Sequence, residues 1–220
     1  MNTCSQSFDT RRKKAFSAME LFVTIACLAL LAAILLPALA KSKARSSRVN
    51  CNNNMKQIGL AFRSWSLDNG DHFPMQVSVN NGGSMESVAR GEAYPHFQVM
   101  SNELSSPRIL LCPTDEKRTN TTNFAVGLAD TNLSYFINMN ATNGDGASLL
   151  FGDRNITNRA KTGSRLVALT KNHSISWTKD LHSKKGNLGF GDGGVDSFRN
   201  GSVGGAVKVA VGMTNWLAVP

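Results

Sequence analysis

Twenty consecutive residues without a charge, Leu21 to Ala40, constrain this chain more than any other feature. At about 1.5 Å of rise per residue, a helix of that length covers a hydrocarbon core of about 30 Å, so the segment reads as a transmembrane helix. A cleaved secretory signal peptide has a shorter apolar region, about 7–15 residues, followed by a small-residue cleavage site. Here the run is longer, and Lys41 and Lys43 follow it at once. A length of 220 residues leaves room for the span and one domain of ordinary size, not for two large domains.

The formal charge of +9 raises the question of a nucleic-acid binder, and its placement answers it. Arg11, Arg12, Lys13 and Lys14 stand before the apolar run, and Lys41, Lys43, Arg45 and Arg48 stand after it. These residues are positioned to meet lipid headgroups, while the remaining basic residues nearly balance the 15 acids. No basic patch interleaved with aromatics accompanies them, so nucleic acid is not an expected partner. Counting positive charges gives four on each side and does not orient the span. A short basic tail before a first apolar span stays in the cytoplasm, which places the head outside it. The expected location is therefore the inner (cytoplasmic) membrane, single-pass, with an extracytoplasmic head.

Cysteines are sparse: Cys4, Cys27, Cys51 and Cys112, with no Cys-x-x-Cys and no Cys/His spacing typical of zinc. Only Cys51 and Cys112 follow the span and would reach an oxidising compartment, where one structural disulfide can persist. Two inert free thiols are the alternative, because distant cysteines fix no pairing geometry.

Two residues make the span more than a tether. Glu20 stands at its cytoplasmic margin, where an unpaired carboxylate is costly and is commonly paired or functional, though snorkelling at the interface is the simpler role. Pro37 removes a backbone donor near the far end and is expected to kink or loosen the helix. The run Arg11-Arg12-Lys13-Lys14-Ala15-Phe16-Ser17-Ala18-Met19-Glu20-Leu21 resembles the type III signal sequence of type IV prepilins and type II secretion pseudopilins. The resemblance implies cleavage by a prepilin peptidase between Ala15 and Phe16, N-methylation of Phe16, and pairing of Glu20 with the Phe16 ammonium of a neighbouring subunit. Pro37 matches that family's helix-kinking proline. The family usually has glycine before the cut, where this chain has Ala15.

Beyond Pro37, apolar residues at Val49, Met55, Ile58, Leu60, Ala61, Phe62, Trp65 and Leu67 recur at roughly helical spacing. The helix is expected to continue as an amphipathic stalk that ends near Asn69-Gly70-Asp71, with Phe62 and Trp65 in a core. After residue 75 the pattern reads as short β-compatible pieces, and 80–92 reads as a Gly-rich loop. Two hairpins are expected. One joins 133–137 to 148–151 across Asn143–Gly146; the other joins 187–190 to 195–198 across Gly191–Gly194. The fold class is α+β and pilin-like: a long N-terminal helix packed on a mostly antiparallel sheet. The expected divisions are a leader at 1–15, a transmembrane helix at 16–40, a stalk at 41–70 and a β-rich head at 71–220.

Cys51-Asn-Asn-Asn-Met-Lys-Gln-Ile-Gly, Leu111-Cys-Pro-Thr-Asp115, Gly152-Asp-Arg-Asn, and His182 followed by Asp192-Gly193 resemble an expanded family of bacterial pilin-like proteins. That family is named for its prepilin-type N-terminus and its C-terminal His-x9-Asp-Gly motif. The resemblance implies a surface or secretion-related assembly subunit whose partners are other pilin or pseudopilin subunits and inner-membrane assembly machinery. An anchored surface protein that binds a polymer or protein partner without assembling is the alternative. Asp192-Gly193 suits a tight turn, and His182 is expected to hold the preceding loop through backbone hydrogen bonds. A calcium site built from Asp192 and Asp196, with Asp145 and Asp153, is the sharper alternative, though the spacing matches no known ion-binding loop. His72, His96, His173 and His182 lie in no nucleophile motif, so enzymatic activity is not expected.

Overall fold

The structure is a computed structural model that describes residues 16–143, 146–158, 165–170, 175–200, 207 and 214–220. The leader with Ala15, and the centre of the first expected hairpin turn with Asp145, lie outside the described residues.

A single helix, α1 (Ala18–Asp68), covers the apolar run and the amphipathic stretch and continues through Pro37. The chain divides into two compact units between Ala44 and Arg45, so the second half of α1 belongs to the head unit and not to a separate stalk. In the first unit every residue from Leu21 to Ala40 is exposed, and the helix is long and apolar enough to cross a membrane. In the second unit Cys51, Met55, Ile58, Phe62 and Trp65 are buried, alternating steps of four and three residues that keep them on one face. Val49, Leu60 and Leu67 fall off that face and are exposed. The helix stops where expected. Gly70 takes φ +64° and Asp71 φ +62°, and the Asp71 amide donates back to the Ser66 carbonyl at 2.8 Å.

The next forty residues correct the sequence reading, because they form helical turns and not β pieces. They comprise 3-10 turns at Pro74–Gln76, Val79–Asn81 and Pro107–Leu110 and short helices α2 (Met85–Val88), α3 (Tyr94–Gln98) and α4 (Ser101–Leu104). Pro74, Pro95 and Pro107 sit in the first turn of three of these, where a missing amide costs nothing and the fixed φ already suits a helix. Within the expected loop at 80–92, Glu86 accepts from Ser78 Oγ at 2.6 Å and from the Val79 amide at 2.9 Å, which folds the segment into turns.

Among the described residues the strands are β1 (Tyr135–Asn138), β2 (Leu149–Asp153), β3 (Ile156–Thr157), β4 (Leu166–Leu169), β5 (Ser176–Trp177), β6 (Lys185–Phe190), β7 (Val195–Arg199) and β8 (Asn215–Ala218). Six of them form one antiparallel sheet in the order β4-β8-β1-β2-β6-β7, and β3 pairs with β5 separately. Both expected hairpins are present as β1/β2 and β6/β7. The sheet is covered on both faces. Tyr135, Ile137 and Phe151 pack with Phe62 and Trp65 of α1, whereas Phe136, Leu188 and Leu217 pack with Trp177 and Val167 on the other side. Phe62 is the centre of the first core: its ring stacks on Phe151 at 5.8 Å and meets Phe73 and Phe97 edge-on.

The β6/β7 turn carries the Asp-Gly pair. Asp192 Oδ1 accepts from the Gly194 amide at 2.7 Å, and Gly193 adopts φ +84°, a value that favours glycine. This turn abuts α1 so closely that a Cβ on Gly59 would lie 2.9 Å from the Gly193 carbonyl oxygen. The pair therefore shapes a turn and also lets the hairpin approach the helix backbone.

Candidate functional site

The start of α1 has its own hydrogen bonds. Ser17 Oγ accepts from the Met19 amide at 3.3 Å, and Glu20 Oε2 accepts from the Ser17 amide at 3.0 Å. This reciprocal arrangement satisfies two donors that the first turn of a helix otherwise leaves without partners. Phe16, Glu20 and Pro37 are exposed, so the structure leaves them open to partners outside the chain.

Deep in the head unit, residues from six segments converge. Cys51 comes from α1, Cys112 from the loop after Pro107–Leu110, Tyr135 from β1, Asp153 and Asn187 from the facing strands β2 and β6, and His182 from the turn before β6. The sulfurs of Cys51 and Cys112 and a ring nitrogen of His182 lie within 4.8 Å of one another. Cys51 Sγ donates to Asp153 Oδ1 at 3.4 Å and lies 3.5 Å from the Tyr135 hydroxyl. Cys112 Sγ is 3.5 Å from His182 Nε2 and 3.1 Å from Thr114 Oγ1. His182 Nε2 also lies 3.7 Å from Asp153 Oδ2, which accepts from the Asn187 amide at 2.7 Å and from Asn187 Nδ2 at 3.0 Å.

The cluster is almost sealed: Cys51 and Asp153 are wholly buried, and the His182 side chain is 3% exposed. Burial pushes the Asp153 carboxyl up to about 7, against the pull of His182. Burial also opposes charge on His182, but the sulfur of Cys112 and the carboxylate of Asp153 outweigh it and raise the ring above its ordinary value. The Cys112 thiol is drawn down to about 5, chiefly by the hydrogen bond from Cys51 and then by His182 and Thr114. Cys51 is driven upward by the same sulfur contact, by burial and by the Asp153 charge. The pair thus favours one thiolate and one thiol.

The backbone that presents His182 is unusual. His182, Ser183 and Lys184 all take positive φ, at 50°, 52° and 64°, a run of left-handed non-glycine residues that surrounding contacts must hold in place. A buried ion pair stiffens the opposite side. Arg154 Nε and Nη2 donate to both oxygens of Asp115 at 2.6 and 2.5 Å, and Ser134 Oγ donates to Asp115 at 2.8 Å. Arg154 follows Asp153, and the Asp115 amide donates to the Cys112 carbonyl at 2.9 Å, so the pair ties the Cys112 loop to the end of β2. Beside the cluster, a cavity of about 220 Å³ is lined by Arg48, His182, Lys185, Asn187, Ser197 and Arg199, among others.

The structure brings Cys51 and Cys112 together as unbridged neighbours. His182 meets side chains there, which corrects the expectation that it fixes its loop through backbone hydrogen bonds. Of the carboxylates considered for calcium, Asp145 lies outside the described residues and the other three do not gather: Asp192 caps its own turn, Asp196 is exposed on β7, and Asp153 faces sulfur. Sequence reasoning missed Tyr135 and Asn187 as neighbours of the cysteines. Their signal was weak, because a strand Tyr and a strand Asn read equally as core and surface. The short runs around Cys51, Cys112, Asp153 and His182 had stood out together, and these four residues meet.

The compositional class is thus an α+β chain with one membrane-compatible N-terminal helix and a buried Cys/His/Asp cluster in its head unit. No family model, curated protein or solved structure matches the chain.

Proposed function

We propose that the chain is a membrane-anchored, pilin-like subunit that enters a pilus or type II secretion pseudopilus through its N-terminal helix. The observation that carries this reading is the apolar half of α1. From Leu21 to Ala40 it is exposed throughout, and the acid nearest its start is Glu20. Such a surface is satisfied by lipid and by like helices, and a carboxylate at its margin gains from an opposite charge on a neighbour. The fixed registration of Ala15, Phe16, Glu20 and Pro37 supports processing by a prepilin peptidase, with Phe16 becoming the N-terminus that Glu20 of another copy meets. The antiparallel head, docked on the second half of α1, suits an extracytoplasmic domain carried by the inner membrane.

The cluster gives little support to an enzymatic reading. Cys112 and Asp153 both face Nε2 of His182, whereas a nucleophilic relay uses one ring nitrogen for the thiol and the other for the acid.

The capping role of Glu20 favours a second reading, in which the carboxylate serves only its own helix and the protein is a non-assembling anchored binder. Glu20→Gln separates the two, because glutamine also serves in this cap while carrying no charge. In cells, the assembly reading expects Glu20→Gln to remain in the membrane fraction but to lose the cross-linked oligomer ladder of wild type. An unchanged ladder would leave the binder reading standing. Intact mass of the mature protein tests processing: loss of residues 1–15 with one added methyl group is expected.

A further inference from the structure

The geometry points to a zinc(II)-class metal site formed by Cys51 Sγ, Cys112 Sγ, His182 Nε2 and Asp153 Oδ1, which clamps α1 to three separate segments of the head. This inference concerns the head unit alone and stands whether or not the chain assembles.

Distance is the first argument. Zinc–sulfur bonds of about 2.3 Å and zinc–nitrogen or zinc–oxygen bonds of about 2.0–2.1 Å in a tetrahedron hold ligand atoms about 3.3–3.8 Å apart. The cluster has Cys112 Sγ at 3.5 Å from His182 Nε2 and Cys51 Sγ at 3.4 Å from Asp153 Oδ1. The three Cys and His ligand atoms all lie within 4.8 Å of one another. Three donors therefore already surround a common centre, and Asp153 Oδ1, in contact with Cys51 Sγ, completes the tetrahedron by a side-chain adjustment.

Chemistry is the second. Two thiolates with one imidazole and one carboxylate select a borderline-soft ion, and calcium or magnesium, which prefer six or more oxygens, fit poorly. A divalent cation would also offset the charge of a carboxylate and thiolates that are otherwise buried away from water. Binding releases the protons still held by the thiols.

The surrounding groups are the third. Asp153 Oδ2 is held by the amide and side chain of Asn187, which leaves Oδ1 turned toward sulfur. The Tyr135 hydroxyl lies at 3.5 Å from Cys51 Sγ and the Thr114 hydroxyl at 3.1 Å from Cys112 Sγ, so each thiolate has a donor besides the metal. Metal ligands are oriented in this way by their outer hydrogen bonds. A disulfide between the two cysteines would use the sulfurs and leave Asp153, His182 and both hydroxyls facing a group that needs none of them.

The test uses the full chain, extracted in detergent under anaerobic conditions. Elemental analysis is expected to find one zinc per chain, and a strong chelator to lower the melting temperature reversibly. Cobalt(II) added to the chelated protein is expected to give thiolate-to-metal absorption with intense visible bands of a tetrahedral site. Cys112→Ser and Asp153→Asn should each weaken retention by about tenfold or more, whereas Cys27→Ser should leave it unchanged. Because either site variant could misfold, the cobalt spectrum of wild type decides by itself. Wild-type protein that shows no thiolate–cobalt band overturns the proposal. So does anaerobically isolated protein with Cys51 and Cys112 already joined, two hydrogen masses lighter and resistant to alkylation until reduced.

Discussion

At the scale of single residues, the head is held by a few groups whose removal has distinct signatures. Phe62 is fully buried among three aromatic rings, so Phe62→Ala leaves a cavity and is expected to cost about 3–5 kcal/mol. Chemical unfolding followed by tryptophan fluorescence measures this. Arg154→Ala strands Asp115, whose side chain is 1% exposed, and should cost about 3–5 kcal/mol. Adding Asp115→Ala should return part of that loss, since the second change removes the isolated charge. His96 supplies a pH dependence. Its ring is wholly buried, with Nδ1 at 2.7 Å from Ser84 Oγ; burial first, and Arg90 second, hold it down at about 4, against the weaker pull of Glu92. The unfolded chain takes up this proton near pH 6.5 and the folded chain does not. The contribution of the neutral ring is therefore complete above pH 6.5 and falls by up to about 1.4 kcal/mol per unit as pH drops toward 4. Unfolding free energies at pH 7 and 4.5 should show a smaller acid loss in His96→Gln than in wild type.

At the scale of elements, the contact between α1 and the β6/β7 turn separates two kinds of glycine. Gly59→Ala sets a methyl 2.9 Å from the Gly193 carbonyl oxygen and is expected to cost about 1–3 kcal/mol through crowding. Gly70→Ala meets no atom within 4 Å but must hold φ +64°, so its cost of about 1 kcal/mol comes from the backbone alone. Thermal melts of the two variants should rank in that order. Both hairpins and the end of α1 were legible in the sequence, because Asn/Gly/Asp runs between apolar segments mark turns strongly. The helical turns from Pro74 to Leu110 were not. There, prolines that resemble strand breakers act instead as first-turn residues, and caps such as Ser78 with Glu86 depend on contacts eight residues apart.

At the scale of the whole chain, the apolar run and the buried stripe of α1 could be read directly, since each repeats at a period that one geometry satisfies. The cluster could be read only as four separate short runs. Nothing in the spacing of Cys51, Cys112, Asp153 and His182 shows that a helix, a loop, a strand end and a turn meet, because contacts over such separations are set by packing. Strands β4 and β8 escaped notice for the same reason: each is only four residues long, and they pair across a gap of dozens of residues. Removing residues 215–220 should therefore do more than trim an end. It takes β8 from between β4 and β1, and limited proteolysis is expected to cut within β4 in the shortened chain and spare it in wild type.

The inner position of β8 also sets an order of events during biogenesis. β8 follows both of its neighbours in chain order and fills the slot between them, so β1 and β4 wait with bare hydrogen-bonding edges until residues 215–218 emerge. Closure is a late, long-range step, and slow folding follows from it. Until residues 215–218 join, the sheet is not whole, which leaves an interval in which a holding chaperone would have an edge to grip.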